Sequence, residues 1–391
     1  MSNTRKHILF LPRWYPNKFD EMWGLFVRKH AEAAVQNNDI SVLYIEALDS
    51  EIKNTEIMEQ IEDNIYTLYI YYAKPKNLIL YFIKFVQLFI FGFKKINKQQ
   101  KIDLTHVHIL SRMGFLAYLA KLSFGTPYII TEHWSRYLPT VNGFNGKLRI
   151  FLTQFISKRA RSILPVTMNL ESAMKKHGLN NSNYRVVPNV VENIFFDKEF
   201  HEKTPSNNKR CIHVSTFEDK SKNISGIIKG IHNILKTRKD FKFIFIGDGM
   251  DFKKMKALAE DLNIDDMHIE FKGLLEKEAL VEEYIKADFM IINSHYENMP
   301  VVINEAFACG LPVLSTDVGG ISEHLTVTRG RLMPPNNESE FIKNFNWMLD
   351  HCQEYDSYSI RQYAQKHFSY AGIGEILDEI YNNAIDSKFQ K

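Results

Sequence analysis

The stretch F-M-I-I-N-S-H-Y-E-N-M-P-V-V-I-N-E-A-F-A-C-G-L-P-V-L-S (289–315) reads as strand, loop, helix and strand. Two short apolar runs, 289–293 and 313–315, bracket a helical segment, the pattern of a parallel βαβ unit. Two carboxylates, Glu297 and Glu305, interrupt an otherwise nearly uncharged run. Asn298 is placed as the helix N-cap, Pro300 in the first turn and Gly310 just past the end. One carboxylate then lies in the loop before the helix and the other inside it. From Pro300, Glu305 is roughly 7–8 Å along the axis at about 1.5 Å per residue. A helix N-terminus attracts anions through its free N–H groups and positive dipole end. A nucleotide diphosphate bound there would bring its ribose hydroxyls to Glu305. An amphipathic helix with Glu305 in solvent is the other reading of the same spacing.

The alternation extends in both directions. Strands are expected over 7–11, 41–46, 66–72, 104–109, 128–132, 162–166 and 184–187, then over 211–215, 242–246, 268–271, 289–293 and 313–315. Helices are expected over 25–36, 113–124, 224–235 and 276–286 between them, so the chain is α/β with parallel sheets. At 391 residues it exceeds one ordinary core, and two domains are expected. The polar segment 201–210, just after V-V-P-N-V-V (186–191), is the sharpest break in composition. It divides a first domain, 1–190, from a second, 191–367. The remaining residues, 368–391, carry helical periodicity.

Hydrophobic content of 45% and charged content of 24% fit a globular chain. Three dispersed cysteines, Cys211, Cys309 and Cys352, suit a reducing cytoplasm. The first apolar run is broken at Pro12 and Arg13, too early for a signal peptide. Charge is uneven: residues 1–190 hold 25 Lys+Arg against 14 Asp+Glu, and residues 191–391 hold 24 against 32. No nucleic-acid recognition motif accompanies the basic half, so nucleic acid is not expected as a partner. Residues 78–93, L-I-L-Y-F-I-K-F-V-Q-L-F-I-F-G-F, are apolar and aromatic and run into Lys94, Lys95, Lys98 and Lys101. They are too few to cross a bilayer, which takes about 20 apolar residues. Burial against a sheet and peripheral contact with a membrane surface both fit them.

Three expected strand ends of the second half carry residues suited to a ligand, the place where parallel sheets bind one. They are Gly247-Asp248-Gly249, S-H-Y-E-N-M-P (294–300) and T-D-V-G-G-I-S-E (316–323). G-D-G alone is also an ordinary strand-to-helix turn, and it is not the GxGxxG dinucleotide fingerprint.

Together these residues resemble the GT4-type retaining glycosyltransferases of the GT-B fold. The matching features are the Glu297/Glu305 pair, A-C-G-L-P-V-L-S-T-D-V-G-G-I-S-E (308–323), F-I-F-I-G-D-G (243–249) and I-E-F-K-G (269–273). In the first half W-Y-P (14–16), G-L-F-V-R-K-H (24–30) and T-E-H-W (131–134) are similar to the family's acceptor-domain signatures. The resemblance implies two Rossmann-like domains facing each other across a cleft, with the C-terminal helix packing back on the first. It implies a nucleotide diphosphate-sugar as co-substrate, with no further cofactor, and a glycan or lipid-linked acceptor.

The resemblance also implies residue roles. Glu305 holds the nucleotide ribose, and Glu297 faces the donor sugar near its anomeric carbon. The backbone of Asn298, Met299, Pro300 and Val301 lines the sugar and pyrophosphate. Lys222 neutralises the leaving diphosphate; the arginine that the family places six positions before it is Thr216 here. His133 projects from the first domain toward the transferring sugar, and Gly24 marks a loop whose backbone approaches the donor. His106 and His108 are read as structural or acceptor-lining. The sequence holds no DxD triplet, so metal-independent transfer is expected. A non-catalytic nucleotide-sugar-binding subunit, or an epimerase or phosphorylase on the same fold, is the alternative.

Overall fold

The computed structural model describes residues 5–49, 54–110, 112–141, 143–197 and 206–386. The chain divides into two compact units, Met1–Val190 with Tyr370–Lys391, and Val191–Ser369. The polar segment 201–210 falls partly outside the described residues, and the units divide at Val190/Val191, the bound given to the two domains above.

Unit 1 contains, in order, β1 (His7–Pro12), α1 (Leu25–Ala34), β2 (Asp39–Leu48), β3 (Glu56–Glu62), β4 (Ile65–Ala73), α2 (Leu78–Gln99) and β5 (Leu104–His108). Then follow α3 (Arg112–Phe124), β6 (Tyr128–Glu132), α4 (Lys147–Arg159), β7 (Ile163–Pro165) and α5 (Met168–Lys176). Among the described residues the strand order is β3-β4-β2-β1-β5-β6-β7. Among the described strands of this sheet only β3 runs antiparallel to its neighbour. The central strands are buried on both faces, as a sheet covered by helices on both sides requires. On β1, Leu9 and Leu11 face a core with Phe85, Phe89 and Phe93 of α2. Ile8 and Phe10 face the opposite core, which includes Ile373, Leu377 and Tyr381 of the C-terminal helix Tyr370–Asp386. That helix lies close on α1, since a Cβ on Gly374 would sit 2.6 Å from the Ala33 carbonyl oxygen.

The expected strand at 184–187 is not a sheet strand. It follows the β7 edge through Arg185 N–H to Ile163 and Val187 N–H to Pro165, at 3.1 and 3.0 Å, with one bridge at Tyr184. Pro188 then offers no N–H, and the ladder stops. The apolar run 78–93 forms the greater part of α2, whose N-cap Asn77 accepts from the Ile79 and Leu80 amides.

Unit 2 contains α6 (Ile194–Asp197), β8 (Lys209–Val214), α7 (Asp219–Lys222), α8 (Ile224–Ile234), β9 (Phe241–Ile246), α9 (Phe252–Asp261) and β10 (Ile269–Phe271). It continues through α10 (Lys277–Lys286), β11 (Phe289–Ile292), α11 (Val301–Ala308), β12 (Val313–Thr316), β13 (Gly330–Met333), α12 (Glu338–His351) and α13 (Ser357–Phe368). Its described strands are all parallel, in the order β10-β9-β8-β11-β12-β13. That is the doubly wound dinucleotide-fold order 3-2-1-4-5-6. The strand order reverses between β8 and β11, which puts the switch point of this sheet at the carboxyl ends of those two strands. The strands β3 and β13 were not expected from the sequence.

Candidate functional site

The loops after β8 and β11 meet at this switch point. The His295 amide donates to the Ser221 carbonyl at 2.8 Å, tying the β11–α11 loop to α7. Lys222 Nζ then lies 2.5 Å from Glu297 Oε1, and Ser294 Oγ donates to the same oxygen at 2.8 Å. Both partners of the ion pair are largely covered, with side chains 19% and 10% exposed. Thr316 of β12 donates to the Ser294 carbonyl at 2.8 Å, fixing the loop from the other side. Gly320 N–H donates to the Asn298 carbonyl at 2.7 Å. Gly319 has φ +64°, and a Cβ there would lie 2.1 Å from the Glu297 carbonyl oxygen. The second carboxylate is inside α11: Glu305 is 7% exposed, and the buried Tyr284 hydroxyl donates to its Oε2 at 3.1 Å. Burial, then the Glu305 charge, raise the Tyr284 phenol well above its ordinary value.

The start of α11 differs from the expected one. The N-cap is Pro300, not Asn298, and it makes no side-chain cap hydrogen bond. Met299 precedes a proline and is biased away from helical geometry, so Asn298 stands two residues before the cap position. Pro300 also lacks an N–H, so the anion-binding amides at this end belong to Val301 and Val302. Gly310, at φ +70°, does follow the helix end.

The loop after β9 is joined to the loop after β8. Phe217 N–H donates to the Asp248 carbonyl at 2.9 Å, and Asp251 N–H donates to the Phe217 carbonyl at 3.0 Å. Asp248 Oδ1 accepts from the Gly249 amide. The close approach made by Gly247 and Gly249 is to protein backbone, since Cβ atoms there would sit 1.9 Å from the Ser215 oxygen and 2.8 Å from Phe217 N. Thr216 is exposed in the β8 loop, and Lys222 supplies the covered cation. Beneath it, burial pushes the His213 imidazole down to about 4.

Unit 1 places its expected residues as follows. The His133 ring is held inside the unit, Nδ1 to Asn189 Oδ1 at 3.2 Å and Nε2 to His108 Nδ1 at 3.3 Å. A consistent tautomer set has His133 donating to Asn189 and accepting from His108. His30 and His106 complete a group of close rings: His30 lies 5.1 Å from His133, and His106 lies 4.2 Å from His108. Burial holds His106, His108 and His133 well below the usual histidine value. His106 hydrogen-bonds Tyr381 and Thr131, which makes it structural. Gly24, at φ +71°, precedes α1 and packs on backbone, 2.4 Å from the Trp14 carbonyl carbon if a Cβ is added.

Sequence reasoning missed several groups. Ser294 and Tyr284 orient the two carboxylates, and no local pattern marks them. Glu132 of T-E-H-W is buried and accepts from the amides of Leu110, His133 and Trp134. At the switch point of unit 1, between β1 and β5, two cations follow the strand ends. Arg13 N–H donates to the His108 carbonyl at 3.1 Å. The Arg112 guanidinium stands 4.6 Å over Phe85, and burial, then the charge of Arg13, hold it below its ordinary value. Arg112 Nε and the buried Tyr72 hydroxyl have no hydrogen-bond partner. A cation directly after a strand end is the signal that would have found them.

Residues 195–367 match the family model described as glycosyl transferases group 1, and residues 36–193 the one described as glycosyltransferase family 4. N-acetyl-alpha-D-glucosaminyl L-malate synthase of Bacillus anthracis is 27% identical over 235 residues, 59% of this chain and 60% of that protein. This chain therefore spans less than two thirds of that relative. The N-acetylgalactosamine-N,N'-diacetylbacillosaminyl-diphospho-undecaprenol 4-alpha-N-acetylgalactosaminyltransferase of Campylobacter jejuni is 25% identical, over 84% of this chain and 90% of that one. A glycosyltransferase from Rickettsia africae superposes with TM-score 0.75 at 16% identity, covering 98% of this chain and 100% of its own. HepE of Anabaena, solved with UDP and glucose, gives 0.71 at 15% identity over 97% and 100%.

Proposed function

We propose that this chain, which belongs to the GT4-type glycosyltransferases of the GT-B fold, is a retaining, metal-independent transferase that moves a sugar from a nucleotide diphosphate-sugar to an acceptor hydroxyl. The observation that carries the reading is the grouping at one switch point: Glu297 paired with Lys222, the start of α11, and Glu305 inside that helix. In this reading Glu305 accepts from the ribose hydroxyls. The Val301 and Val302 amides and Lys222 take the diphosphate, and Glu297 lies beside the sugar. As the bond from the anomeric carbon to the phosphate oxygen breaks, negative charge grows on the diphosphate. A preplaced cation and helix N–H groups stabilise that charge most where water is excluded. The acceptor oxygen bonds to the anomeric carbon on the same face, and its proton passes to the departing phosphate oxygen. Glu297 holds the cationic sugar carbon electrostatically. His133 of unit 1 is held neutral, with both ring nitrogens hydrogen-bonded, which leaves it unsuited to act as an acid.

Lys222 stands without the family's arginine, so the helix start carries a larger share of the diphosphate charge here. The absence of a DxD triplet from the sequence supports metal independence. Arg13, Arg112 and the unpartnered Tyr72 hydroxyl favour an anionic acceptor, such as a phosphate-linked glycan. The Campylobacter relative's name carries a diphospho-undecaprenol acceptor, which supports a lipid-linked substrate and a role in cell-surface glycan assembly. Donor supply would place the reaction in the cytoplasm. Thermal-shift measurements across a panel of nucleotide sugars, followed by NMR of the product's anomeric configuration, test this. A donor that stabilises the protein and yields an inverted product would end the retaining mechanism. Binding with no transfer to any phosphate-linked glycan would favour a non-catalytic subunit.

A further inference from the structure

One helical layer of unit 1 leaves apolar side chains uncovered. α2 buries Phe85, Phe89 and Phe93 against the sheet, yet Leu78, Ile79 and Phe82 on its first turns are 82%, 70% and 47% exposed. α4 repeats the pattern, with Leu148 at 71% and Phe151 at 62%. α3 joins them: Phe82 packs 5.4 Å from Phe115, and Tyr118 packs 5.3 Å from Phe155 of α4. At the other end Phe93 stacks on Phe124 at 4.5 Å, and Lys121 Nζ donates to the Arg159 carbonyl at 3.0 Å. The three helices therefore form one continuous layer. α2 and α3 follow parallel strands directly, so their N-termini lie at the carboxyl edge of the sheet. The Phe82–Phe115 contact near one end and the Phe93–Phe124 contact near the other keep them side by side and co-directional.

The charge on this layer is one-sided. The sequences of α2, α3 and α4 contain ten Lys and Arg and no Asp or Glu. From residue 74 to residue 170 the chain holds 15 basic residues and two acids, Asp103 and Glu132, and Glu132 is buried. Some of the positive charge is paired from outside the layer, as Lys95 is with Glu59 of β3. Lys94, Lys98, Lys147, Arg149 and Lys158 remain on the exposed surface. Exposed Leu, Ile and Phe have nothing to offer a nucleic-acid backbone, and an acidic protein surface would leave them unburied. A bilayer interface takes both parts, apolar side chains at the acyl boundary and lysines at anionic headgroups. Among the described residues no helix is long and apolar enough to cross a membrane, so the contact is a surface one.

We propose that the α2–α3–α4 layer of unit 1 docks on an anionic lipid bilayer, inserting the exposed side chains of the first turns of α2 and α4. The proposal stands on unit 1 and is independent of sugar transfer by unit 2. It brings the sheet edge that carries Arg13 and Arg112 toward the lipid headgroups.

The test is flotation of the full chain with vesicles of phosphatidylcholine, alone or mixed with phosphatidylglycerol. Binding is expected to the mixed vesicles, to weaken with salt, and to be slight with phosphatidylcholine alone. Ile79→Ser, Phe82→Ser and Phe151→Ser combined should weaken it by about tenfold or more, because each removes inserted apolar area. Lys147→Gln and Arg149→Gln, exposed in the first turn of α4, should each cost about fivefold. These side chains are exposed, so far-UV circular dichroism and nucleotide binding should be unchanged. No binding to mixed vesicles at low salt, or binding untouched by the triple variant, overturns the proposal. A dimer that the triple variant dissociates, without vesicle affinity, assigns the face to a second copy and overturns it too.

Discussion

Replacing Tyr284 with phenylalanine removes one oxygen from beneath the Glu305 carboxylate and leaves the ring in place. The hydroxyl is buried, 3.1 Å from Glu305 Oε2 and 3.3 Å from the Val302 carbonyl. Its single proton serves one acceptor at a time, and the charged one holds it better. A hydrogen bond to a charged group contributes about 1.5–3 kcal/mol, so unit 2 should lose stability of that order. The ring's edge-on contact with Phe195, at 5.8 Å, is kept, so the loss is electrostatic rather than one of packing. If about half of it appears in nucleotide binding, through a carboxylate no longer preset for the ribose, donor affinity falls about 4- to 13-fold. Calorimetric titration with a nucleoside diphosphate reads that change directly. Steady-state kinetics should show KM for the donor rising by a similar factor, with kcat within about twofold. Unchanged affinity alongside lost stability would make the Tyr284–Glu305 bond a structural contact only. A fall in kcat at saturating donor would move Glu305 from the ribose to the reaction centre.

Lys222→Met should lower kcat by about 10²–10³, the scale of a lost oxyanion-type donor, as measured by transfer at saturating donor. Near-normal turnover would assign the diphosphate to other cations. Arg112→Met should raise KM for a phosphorylated acceptor and leave donor titration unchanged; an unaltered acceptor KM refutes the anionic-acceptor assignment. The histidine group of unit 1 makes the fold acid-sensitive. His106, His108 and His133 have folded values below the unfolded value of about 6.5, so the unfolded chain binds more protons. Their stabilisation is complete above about pH 6.5 and is lost below it, at about 1.4 kcal/mol per pH unit for each histidine. His213 loses its share between about 6.5 and its folded value of about 4. Urea midpoints that do not fall between about pH 7.5 and 5.5 would contradict this.

The parallel strands other than β13 were legible because burial on two faces turns them into short continuous apolar runs, as in F-I-F-I (243–246). β3 was hidden because E-I-M-E-Q-I-E lies on the sheet edge, largely exposed, with three acids. β13 is only four residues long and opens on a glycine at φ +150°, which resembles a turn. The pairing of β11, α11 and β12 followed from residues 289–315, and with it the carboxylate in the loop and the one in the helix. The N-cap assignment went to Asn298 because asparagine caps well, while proline's effect on the preceding residue decided the actual start. What could not be read is whatever comes from distant chain: Tyr284 under Glu305, Ser221 under His295, and the protein backbone filling the space before Gly247 and Gly24.

The central claim is that Glu297 and Glu305 divide the donor between reaction and binding. Its most direct test compares Glu297→Gln and Glu305→Ala in parallel, by calorimetric donor titration and by turnover at saturating donor. The account predicts that Glu297→Gln keeps donor affinity within a few-fold and loses most turnover. Glu305→Ala should weaken donor binding and keep most turnover once saturated. Near-normal kinetics in both variants, or the two effects exchanged, would contradict it.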